Sequence, residues 1–504
     1  MNQFKKALIA GTIATSMIFS TLVLAAPPEP PDGNGGGPGG APGGAPGGNP
    51  TSANVSYTGS TTISESTTES GTVYASTEGN QNALLVSGGT STITNPTVTK
   101  SGDASGDEAD FYGTNAAVLT YNDATLDIVG GTITTNGSHA NAVFAYGTGT
   151  INISNATINT TSNNSGGVMV TGGGTLTANN VTVVTSGNSS ASIRSDRGGG
   201  TLTVNGGTFE TTGVGSPAVY STANVTVNNA TLSATSSEGI VVEGANSVSL
   251  NNTTLTDNNT TLNGNSETYK NIFLYQSMSG DADEGTASFT SRGSTITTNN
   301  GDTIFVTNTT ATISLENNTI VNHDGDFLRI QTGKWGTSGA NGGNVTLGMT
   351  NQKVEGNIIV DDISTLALSL NSGSVMIGTI DTENQAKNID LSLSSDSVIS
   401  LTGDAYVDTL TNEDSNNANI YLNGYKLYVN GEEVSANSGT YDGNAGNNSE
   451  APNDTNEAPE NTAPTDETNQ NDTGVKNKNY MYYILIGIVA VIVGVIIWIK
   501  SKEN

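Results

Sequence analysis

The sequence predicts an all-β chain that folds mainly as a right-handed parallel β-helix, a solenoid in which every turn adds one strand to each of three sheets. Three features support this prediction: a repeat of roughly two dozen residues, short apolar bursts on a period of two within each repeat, and turn-forming residues between the bursts. The chain has no cysteine, so this fold cannot depend on disulfide bonds. We expect the solenoid over residues 51–438.

The repeats align on a small or polar residue followed by an apolar cluster. Successive starts lie 26, 25, 24, 26 and 22 residues apart, at Asn115, Asn141, Gly166, Ser190, Ser216 and Glu238. The bursts are too short for helices and are separated by Asn, Gly or Ser, so we predict strands. The predicted inward side chains are Leu126, Ile128, Ile133, Ile151, Ile153, Ile158, Leu176, Val181 and Val183, with Thr and Ser coating the outer faces.

An array of immunoglobulin-like sandwiches is the competing architecture. Such modules need about seven strands per hundred residues and a buried tryptophan, whereas this repeat is about a quarter of that length. The recurrent Asn-x-Ser/Thr triplets, such as those beginning at Asn155 and Asn180, are compatible with glycosylation. We interpret them as turn chemistry, because asparagine tolerates left-handed backbone geometry at the corners of each turn.

The two ends of the chain predict export and anchoring. Residues 1–25 have the basic start, apolar run and small-residue site of a signal peptide, and residues 26–50 are a Pro/Gly-rich linker. Residues 439–479 are polar and acidic, as in a disordered stalk. Residues 480–499 are apolar and long enough for a transmembrane helix, followed by the cytoplasmic tail 500–504. We therefore expect a single-pass membrane protein with an extracellular N-terminal part.

The C-terminal arrangement resembles the sorting signal of Gram-positive wall proteins. That signal needs Leu-Pro before x-Thr-Gly, but Gln470 and Asn471 stand in those places before Thr473 and Gly474. The departure favours retention in the membrane. The net charge of −30 argues against nucleic acid as a partner, because phosphate binding needs a basic surface.

Most of the predicted solenoid resembles the pectate-lyase-like β-helix proteins of bacterial cell surfaces, which are described as adhesins or carbohydrate-binding proteins. The resemblance is carried by NPTVTKSGD (95–103), SIRSDRGGGT (192–201), SPAVYST (216–222), SEGIVVEG (237–244), YQSMSGDADEGTASF (275–289) and LYVNGEEV (427–434). It implies attachment at the surface and no established reaction.

Three charged groups are candidate sites. Arg194, Asp196 and Arg197 precede three glycines and could bind a ligand together, although a salt-bridged turn is the simpler reading. The carboxylates of Asp281, Asp283 and Glu284 could gather a calcium ion, or form an ordinary solvated loop. The third group is His323, Asp324 and Asp326 with Arg329, for which we do not favour catalysis. Glu238 and Glu243 flank one strand and could meet Arg194 or Arg197 from neighbouring turns.

The predicted function is that of a non-catalytic surface binder, whose partner is a polysaccharide, a host-surface glycan or another surface protein. No cofactor is expected beyond a calcium ion. The alternative is a polysaccharide lyase or glycoside hydrolase, because that fold carries both activities in the family it resembles. A spacer without a ligand is the third hypothesis. The enzyme hypothesis gains if Arg194, Arg197 and the carboxylates at 281–284 converge in one groove.

Overall fold

The computed structural model describes residues 55–262 and 267–443, and these residues form a parallel β-solenoid of about 15 turns. Among the described strands, those of successive turns pair in parallel, as Thr150–Ser154 does with the strand that follows it. An antiparallel pair occurs at the C-terminal end, where Glu432–Glu433 folds back on Leu427–Val429. The predicted all-β class and the predicted stacking of turns are confirmed.

The first strand of each turn forms face A. Its strands are Gly59–Ile63, Asn82–Val86, Val118–Thr120, Val143–Tyr146, Val168–Thr171, Ile193–Ser195, Val219–Ser221, Ile240–Glu243, Lys270–Tyr275, Asp302–Thr307, Leu328–Ile330, Ile358–Val360, Ala405–Val407 and Leu427–Val429.

The second strand of each turn forms face B. Its strands are Thr68–Ser70, Thr90–Thr94, Thr125–Val129, Thr150–Ser154, Asn224–Asn228, Ser247–Asn251, Thr286–Arg292, Thr309–Glu316, Gly343–Thr350, Thr365–Asn371, Asn388–Leu393 and Thr409–Asn412.

The third strand of each turn forms face C. Its strands are Val73–Ser76, Thr97–Lys100, Thr132–Thr135, Thr157–Thr160, Thr231–Ala234, Thr254–Asp257, Thr295–Thr298, Thr319–Asn322, Lys353–Glu355, Val375–Gly378, Val398–Leu401 and Ile420–Tyr421. Two strands, Gly174–Thr185 and Gly200–Thr211, run without interruption from face B into face C.

The axis of the solenoid is filled by the apolar side chains that the sequence pattern predicted. All nine predicted inward residues are at most 1% exposed, and they belong to one continuous core that extends from Ile63 to Leu427. The strands on faces B and C alternate buried and exposed positions, as Thr157–Thr160 does. A period of two is therefore a reliable signal wherever one side of a strand faces solvent.

Asparagine forms the corner between faces B and C in turn after turn. Asn155, Asn180, Asn229 and Asn252 all have a positive φ close to 50°, which few other side chains tolerate. Beside this corner, Asn205 donates to Asn179 at 2.9 Å, and Asn228 and Asn251 continue the ladder. The interpretation of these asparagines as turn formers is confirmed.

Face A differs from the predicted pattern, because its strands are buried on both sides. All five residues of Asn82–Val86 and all six of Lys270–Tyr275 are buried. The expectation that Thr and Ser coat every face is therefore wrong for face A, whose outward positions carry Leu85, Phe144 and Phe273 among others. These side chains are covered by segments inserted between turns.

The insertions explain why the repeat is irregular in places. Residues in equivalent positions of neighbouring turns lie 25 or 26 residues apart in the regular part. The separation grows to 35 where the helix Asp107–Tyr112 is inserted. It grows to 32 between Glu243 and Tyr275, because the segment between Asp257 and Lys270 is longer, and to 41 after residues 276–285 have been added. The helix was not predicted, because its six residues carry no repeat signal.

Within the described residues, no helix is long and apolar enough to cross a membrane. The predicted signal peptide, the linker, the transmembrane helix, the cytoplasmic tail and almost all of the predicted stalk lie outside the described residues.

Candidate functional site

An outward-facing row of side chains on face A changes character along the solenoid. Strand register places Arg194 between Met169 and Tyr220, and the row continues through Val241 and Phe273. The side chains before Arg194 are apolar, and most of those after Tyr220 are aromatic or aliphatic. A guanidinium in this row is therefore set between two apolar surfaces, where it needs a partner.

The helix Asp107–Tyr112 covers this part of face A. Phe111 is held by the hydroxyl of Thr171, which donates to its carbonyl oxygen at 2.7 Å, and by the guanidinium of Arg197, which lies 3.8 Å from the ring centroid. Asp110 contacts Nδ1 of His139 at 2.7 Å. The helix ends at Gly113, whose φ of 74° suits glycine and where a Cβ atom would lie 3.0 Å from the side chains of Leu119 and Phe144. We call this helix and residues 276–285 together the cover.

Arg197 joins the two parts of the cover. Its Nη1 donates to Asp107 of the helix at 2.8 Å, and its Nε donates to Asp281 of the other segment at 2.5 Å. The turn that carries Arg197 runs through Gly199, where φ is 54° and a Cβ atom would lie 2.6 Å from the carbonyl oxygen of Thr222. Only glycine fits there, so the triple glycine positions Arg197 beneath the cover.

Asp196 and Arg194 form an ion pair under the cover. Nη2 and Nε of Arg194 donate to one oxygen of Asp196 at 2.9 and 3.1 Å, and Asp196 is only 3% exposed. Burial raises the pKa of Asp196 to about 7, although the charge of Arg194 opposes this shift; Asp281 and Glu243 add to it. Burial lowers the pKa of Arg194, but the charges of Asp196 and Asp110 and the hydrogen bonds to Asp196 together outweigh this effect and leave the pKa raised. Asp196 is consequently a carboxyl group that changes charge near neutral pH.

Glu243 is the second buried carboxyl group of the site. The hydroxyls of Tyr220 and Tyr275 donate to it at 2.5 and 2.9 Å, and Ser277 donates to its other oxygen. Burial raises the pKa of Glu243, and these hydrogen bonds oppose the shift. Burial together with the charge of Glu243 raises the pKa of both tyrosines. The three hydroxyls come from two strands of face A and from the cover, so Glu243 ties these elements together.

Two cavities open at this site. The larger, of about 490 Å³, is lined by Arg197, the three glycines, Thr222 and Asp283, among others. The smaller, of about 240 Å³, is lined by Asp110, Phe111, Arg194, Asp196 and Tyr220, among others. Asp281 lines both cavities. The volume of the larger one is typical of a small-molecule site.

The structure brings together two of the three candidate groups. Arg194 and Asp196 line the smaller cavity, Arg197 and Asp283 line the larger one, and Asp281 lines both. The two arginines therefore do not converge in one groove, which is the condition that would favour the enzyme hypothesis, although the contact between Arg197 and Asp281 links the two groups. The reading of Arg194 and Asp196 as a salt bridge is also correct. Arg197 extends beyond its own turn, to partners 84 and 90 residues away in sequence.

Calcium binding by Asp281, Asp283 and Glu284 stays a prediction. One oxygen of Asp281 already accepts from Arg197, and Asp283 and Glu284 are exposed. Across residues 55–262 and 267–443, no group of three or more His, Cys, Asp or Glu side chains is arranged to hold a metal ion. A calcium ion would therefore need a rearrangement of residues 276–285.

The remaining charged candidates form ion pairs elsewhere on face A. Arg329 binds Asp302 at 2.6 Å and Asp326 at 2.5 Å, while His323 is exposed. Glu238 pairs with Lys270 at 3.2 Å, and not with Arg194 or Arg197, the two partners that the sequence suggests. These contacts are structural links between turns.

Sequence reasoning missed the aromatic and helical parts of the site. Phe111 and Tyr112 lie on the helix that no repeat predicts, and Tyr220 and Tyr275 lie at outward positions of face A. A usable signal did exist: strands such as NIFLY and VMV lack polar residues at alternate positions, which is typical of strands buried on both sides.

Comparisons with known proteins add no family to these observations. The chain matches no protein-family model, no curated protein and no solved structure.

Proposed function

We propose that the chain is an anchored cell-surface protein that binds carbohydrate in the two cavities beneath the cover. The observation that supports this proposal is the clustering of Arg194, Asp196, Arg197 and Asp281 with Phe111 and Tyr220 around the two cavities. Charged side chains make strong, directional hydrogen bonds to hydroxyl groups, and aromatic faces pack against the C–H surface of a sugar ring. Faces B and C offer hydroxyls and amides in rows. A further cavity of about 390 Å³ lies where face B begins, and its lining, which includes Asn344, Thr365 and Lys387, contains no aromatic side chain and no carboxylate.

The cell-surface location follows from the predicted signal peptide and the predicted transmembrane helix. We also propose right-handed coiling of the solenoid, since parallel strands of one sheet are almost always connected with that hand. With the stalk between the solenoid and the membrane, the cavities would be accessible to polysaccharide of the wall or of a host surface. Adhesion through another surface protein is the other form that this role can take.

A glycan array probed with the full chain in mild detergent tests the proposal. We expect binding to a restricted set of glycans and at least a tenfold loss with Arg194→Met, because this change removes the guanidinium and leaves Asp196 buried without its partner. The matched control is Arg292→Met, which removes an exposed guanidinium that pairs with Glu316 at 2.7 Å on face B. Equal binding by the wild type and Arg194→Met would indicate that the ligand binds on another face. No binding to any glycan would contradict the proposal.

Glycoside hydrolysis is the second candidate, and the pKa of Asp196 favours it. A carboxyl group with a pKa of about 7 is suited to donate a proton to a glycosidic oxygen. Asp110 and Asp281 line the same cavity, so either carboxylate could activate the water that attacks the sugar. Because Asp196 is 3% exposed, the cover would have to open before a polymer could reach it.

Product analysis separates the two candidates. If the protein is an enzyme, new reducing ends appear when glycans that bind on the array are incubated with it, and Asp196→Asn abolishes them. Unsaturated ends would identify a lyase instead. Binding without products in either assay would identify the protein as a binding protein without catalytic activity on these glycans.

A further inference from the structure

We propose that the ligand of the two cavities is a sugar that carries an amine, such as a de-N-acetylated hexosamine, and not an acidic sugar. This inference rests on the proposed carbohydrate binding and specifies its substrate class. It follows from three observations: the excess of carboxyl groups around the cavities, the ion pairs that both guanidiniums already form, and a buried hydroxyl group that has no hydrogen-bond partner among the described residues.

Carboxylates outnumber cations around the cavities. Four carboxyl groups line them, those of Asp110, Asp196, Asp281 and Asp283, against the two guanidiniums of Arg194 and Arg197. A fifth carboxyl group, that of Glu243, lies behind them and raises the pKa of Asp196 through its charge. An acidic ligand would bring a further negative charge into this space, where water screens it poorly. An ammonium group would be attracted by the same charges.

Both guanidiniums already have carboxylate partners. Arg194 donates twice to Asp196, and Arg197 donates to Asp107 and to Asp281 while its flat face rests on Phe111. A ligand carboxylate at Arg194 would have to displace Asp196, which is 3% exposed and would be left buried without a counter-charge. At Arg197 it would compete with Asp107 and Asp281 for the same guanidinium. The arginines therefore shape the site and hold its carboxylates in place, but they do not offer an anion-binding pocket.

The hydroxyl of Thr222 is an independent observation. Thr222 lines the larger cavity and is 3% exposed, and its Oγ1 has no hydrogen-bond partner among the described residues. Buried hydroxyl groups are rarely left without a partner in folded proteins, so such an atom beside a cavity points to a ligand. A hydroxyl oxygen accepts as well as donates, so an ammonium or hydroxyl group of a sugar could satisfy it.

The titration of the buried carboxyl groups agrees with this inference. Asp196 faces Arg194 on its own strand, Asp281 on the cover and Glu243 on a later strand of face A, and its pKa is raised to about 7 because burial and the two carboxylates outweigh the arginine. A bound ammonium would favour the ionised form of this group. Binding of an amine sugar slightly below neutral pH, where its amine is already protonated and Asp196 is still mainly neutral, should therefore release protons, which calorimetry in buffers of different ionisation enthalpy detects.

The experiment compares three oligosaccharides of equal length by calorimetry with the full chain near neutral pH: a glucosamine oligomer, its fully N-acetylated counterpart and an oligogalacturonate. We expect the glucosamine oligomer to bind at least tenfold more tightly than the other two. Asp283→Asn, at an exposed position that lines the larger cavity, should reduce this preference several-fold without affecting folding. The control Glu316→Gln changes the net charge equally at a distant site and should leave the preference unchanged.

Several results would overturn the inference. Equal affinity for the glucosamine oligomer and its N-acetylated form would do so while leaving carbohydrate binding in place. Tight binding of oligogalacturonate, alone or only with added calcium, would also overturn it. An equal loss of preference in Glu316→Gln and Asp283→Asn would assign the effect to the overall charge of −30 and not to the cavities. If, in addition, no glycan on the array binds, the result would count against the proposed function itself.

Discussion

The outer surface of face A and the outer surfaces of faces B and C are built from the same repeat, yet they have opposite characters. On faces B and C, outward positions hold Thr, Ser and Asn that pair with their equivalents in the adjacent turn, as Asn205 does with Asn228. On face A, outward positions hold Leu, Phe, Tyr and Arg beneath inserted segments. The polar outer surfaces of faces B and C can remain in contact with water, whereas the apolar outer surface of face A has to be covered. The cavities lie where the two parts of the cover meet over the charged part of face A.

The largest expected effect comes from comparing a ring inside the solenoid with a ring under the cover. Phe289 belongs to the core and Phe144 lies outside face A against Gly113, and both are fully buried. Phe289→Ala should lower the free energy of unfolding by about 3–5 kcal/mol, and Phe144→Ala by a similar amount if the helix is firmly packed. Chemical denaturation measures both. A loss of less than about 1 kcal/mol for Phe144→Ala would show that the helix does not bury face A as a core does.

The contrast between covered and bare surfaces also predicts a difference in pH dependence. The folded-state pKa of Asp196 is raised from 3.8 to about 7, so between these values the folded chain binds a proton that the unfolded chain has lost. Stability should therefore fall as pH rises through this window, by up to about 1.4 kcal/mol per pH unit from this group. Asp196→Asn should remove that slope, whatever its effect on absolute stability.

The control for this pH experiment is Asp127→Asn on face B, where the carboxylate is half-buried and bound to Asn152. Its melting temperature should follow that of the wild type from about pH 4 to pH 8. Other buried carboxyl groups, such as Asp257 with a pKa raised by burial to about 9, keep part of the slope in every variant. A slope that decreases equally in both variants, or in neither, would contradict the assignment of the raised pKa to the covered site.

The corner between faces B and C allows a matching test on the uncovered surface. Asn180 has a φ of 51°, and alanine is strained in that region by roughly 1–2 kcal/mol. Asn180→Ala should destabilise the chain by about this amount, while Asn180→Gly should have little effect, as glycine already stands at position 206 in the next turn with a φ of 72°. Thermal denaturation compares the two. Equal losses would mean that the side chain of Asn180, and not its backbone geometry, determines which residue is tolerated at this position.

The smallest effect on overall stability is expected for Arg197→Ala, because this side chain is 38% exposed. The change should instead speed hydrogen exchange in the helix Asp107–Tyr112 and in residues 276–285, since both lose their common partner. Arg292→Ala serves as the control on the bare surface, where no insertion depends on it. Unchanged exchange in both segments of the Arg197 variant would show that Arg197 does not hold the cover closed.

The core of the solenoid could be predicted because it depends on local pattern alone. Residues such as Ile151 and Ile153 repeat at a fixed spacing and face the axis in every turn, so period and position determine burial. The handedness of the solenoid cannot be predicted from this pattern, because a period of two is the same for a right-handed and a left-handed solenoid.

The site was only partly predictable. Arg194, Asp196 and Arg197 stand out because charges are rare in this chain, and the acidic run at 281–284 stands out for the same reason. Their meeting depends on the lengths of two insertions, and no repeat encodes where an insertion folds back. The role of Tyr220 and Tyr275 at Glu243 follows from register across 23 and 32 residues, respectively, which is visible only once the turns are aligned in space.

The parallel ladders have a mechanical consequence. Their hydrogen bonds lie along the stacking direction, so tension applied between the two ends of the solenoid opens turns one at a time and not all together. At the C-terminal end, Glu432–Glu433 folds back antiparallel on the last strand of face A and must detach before that turn can peel away. Arg197, by joining residues 107 and 281, would act as a cross-brace over the turns between them and interrupt such unzipping midway along the molecule.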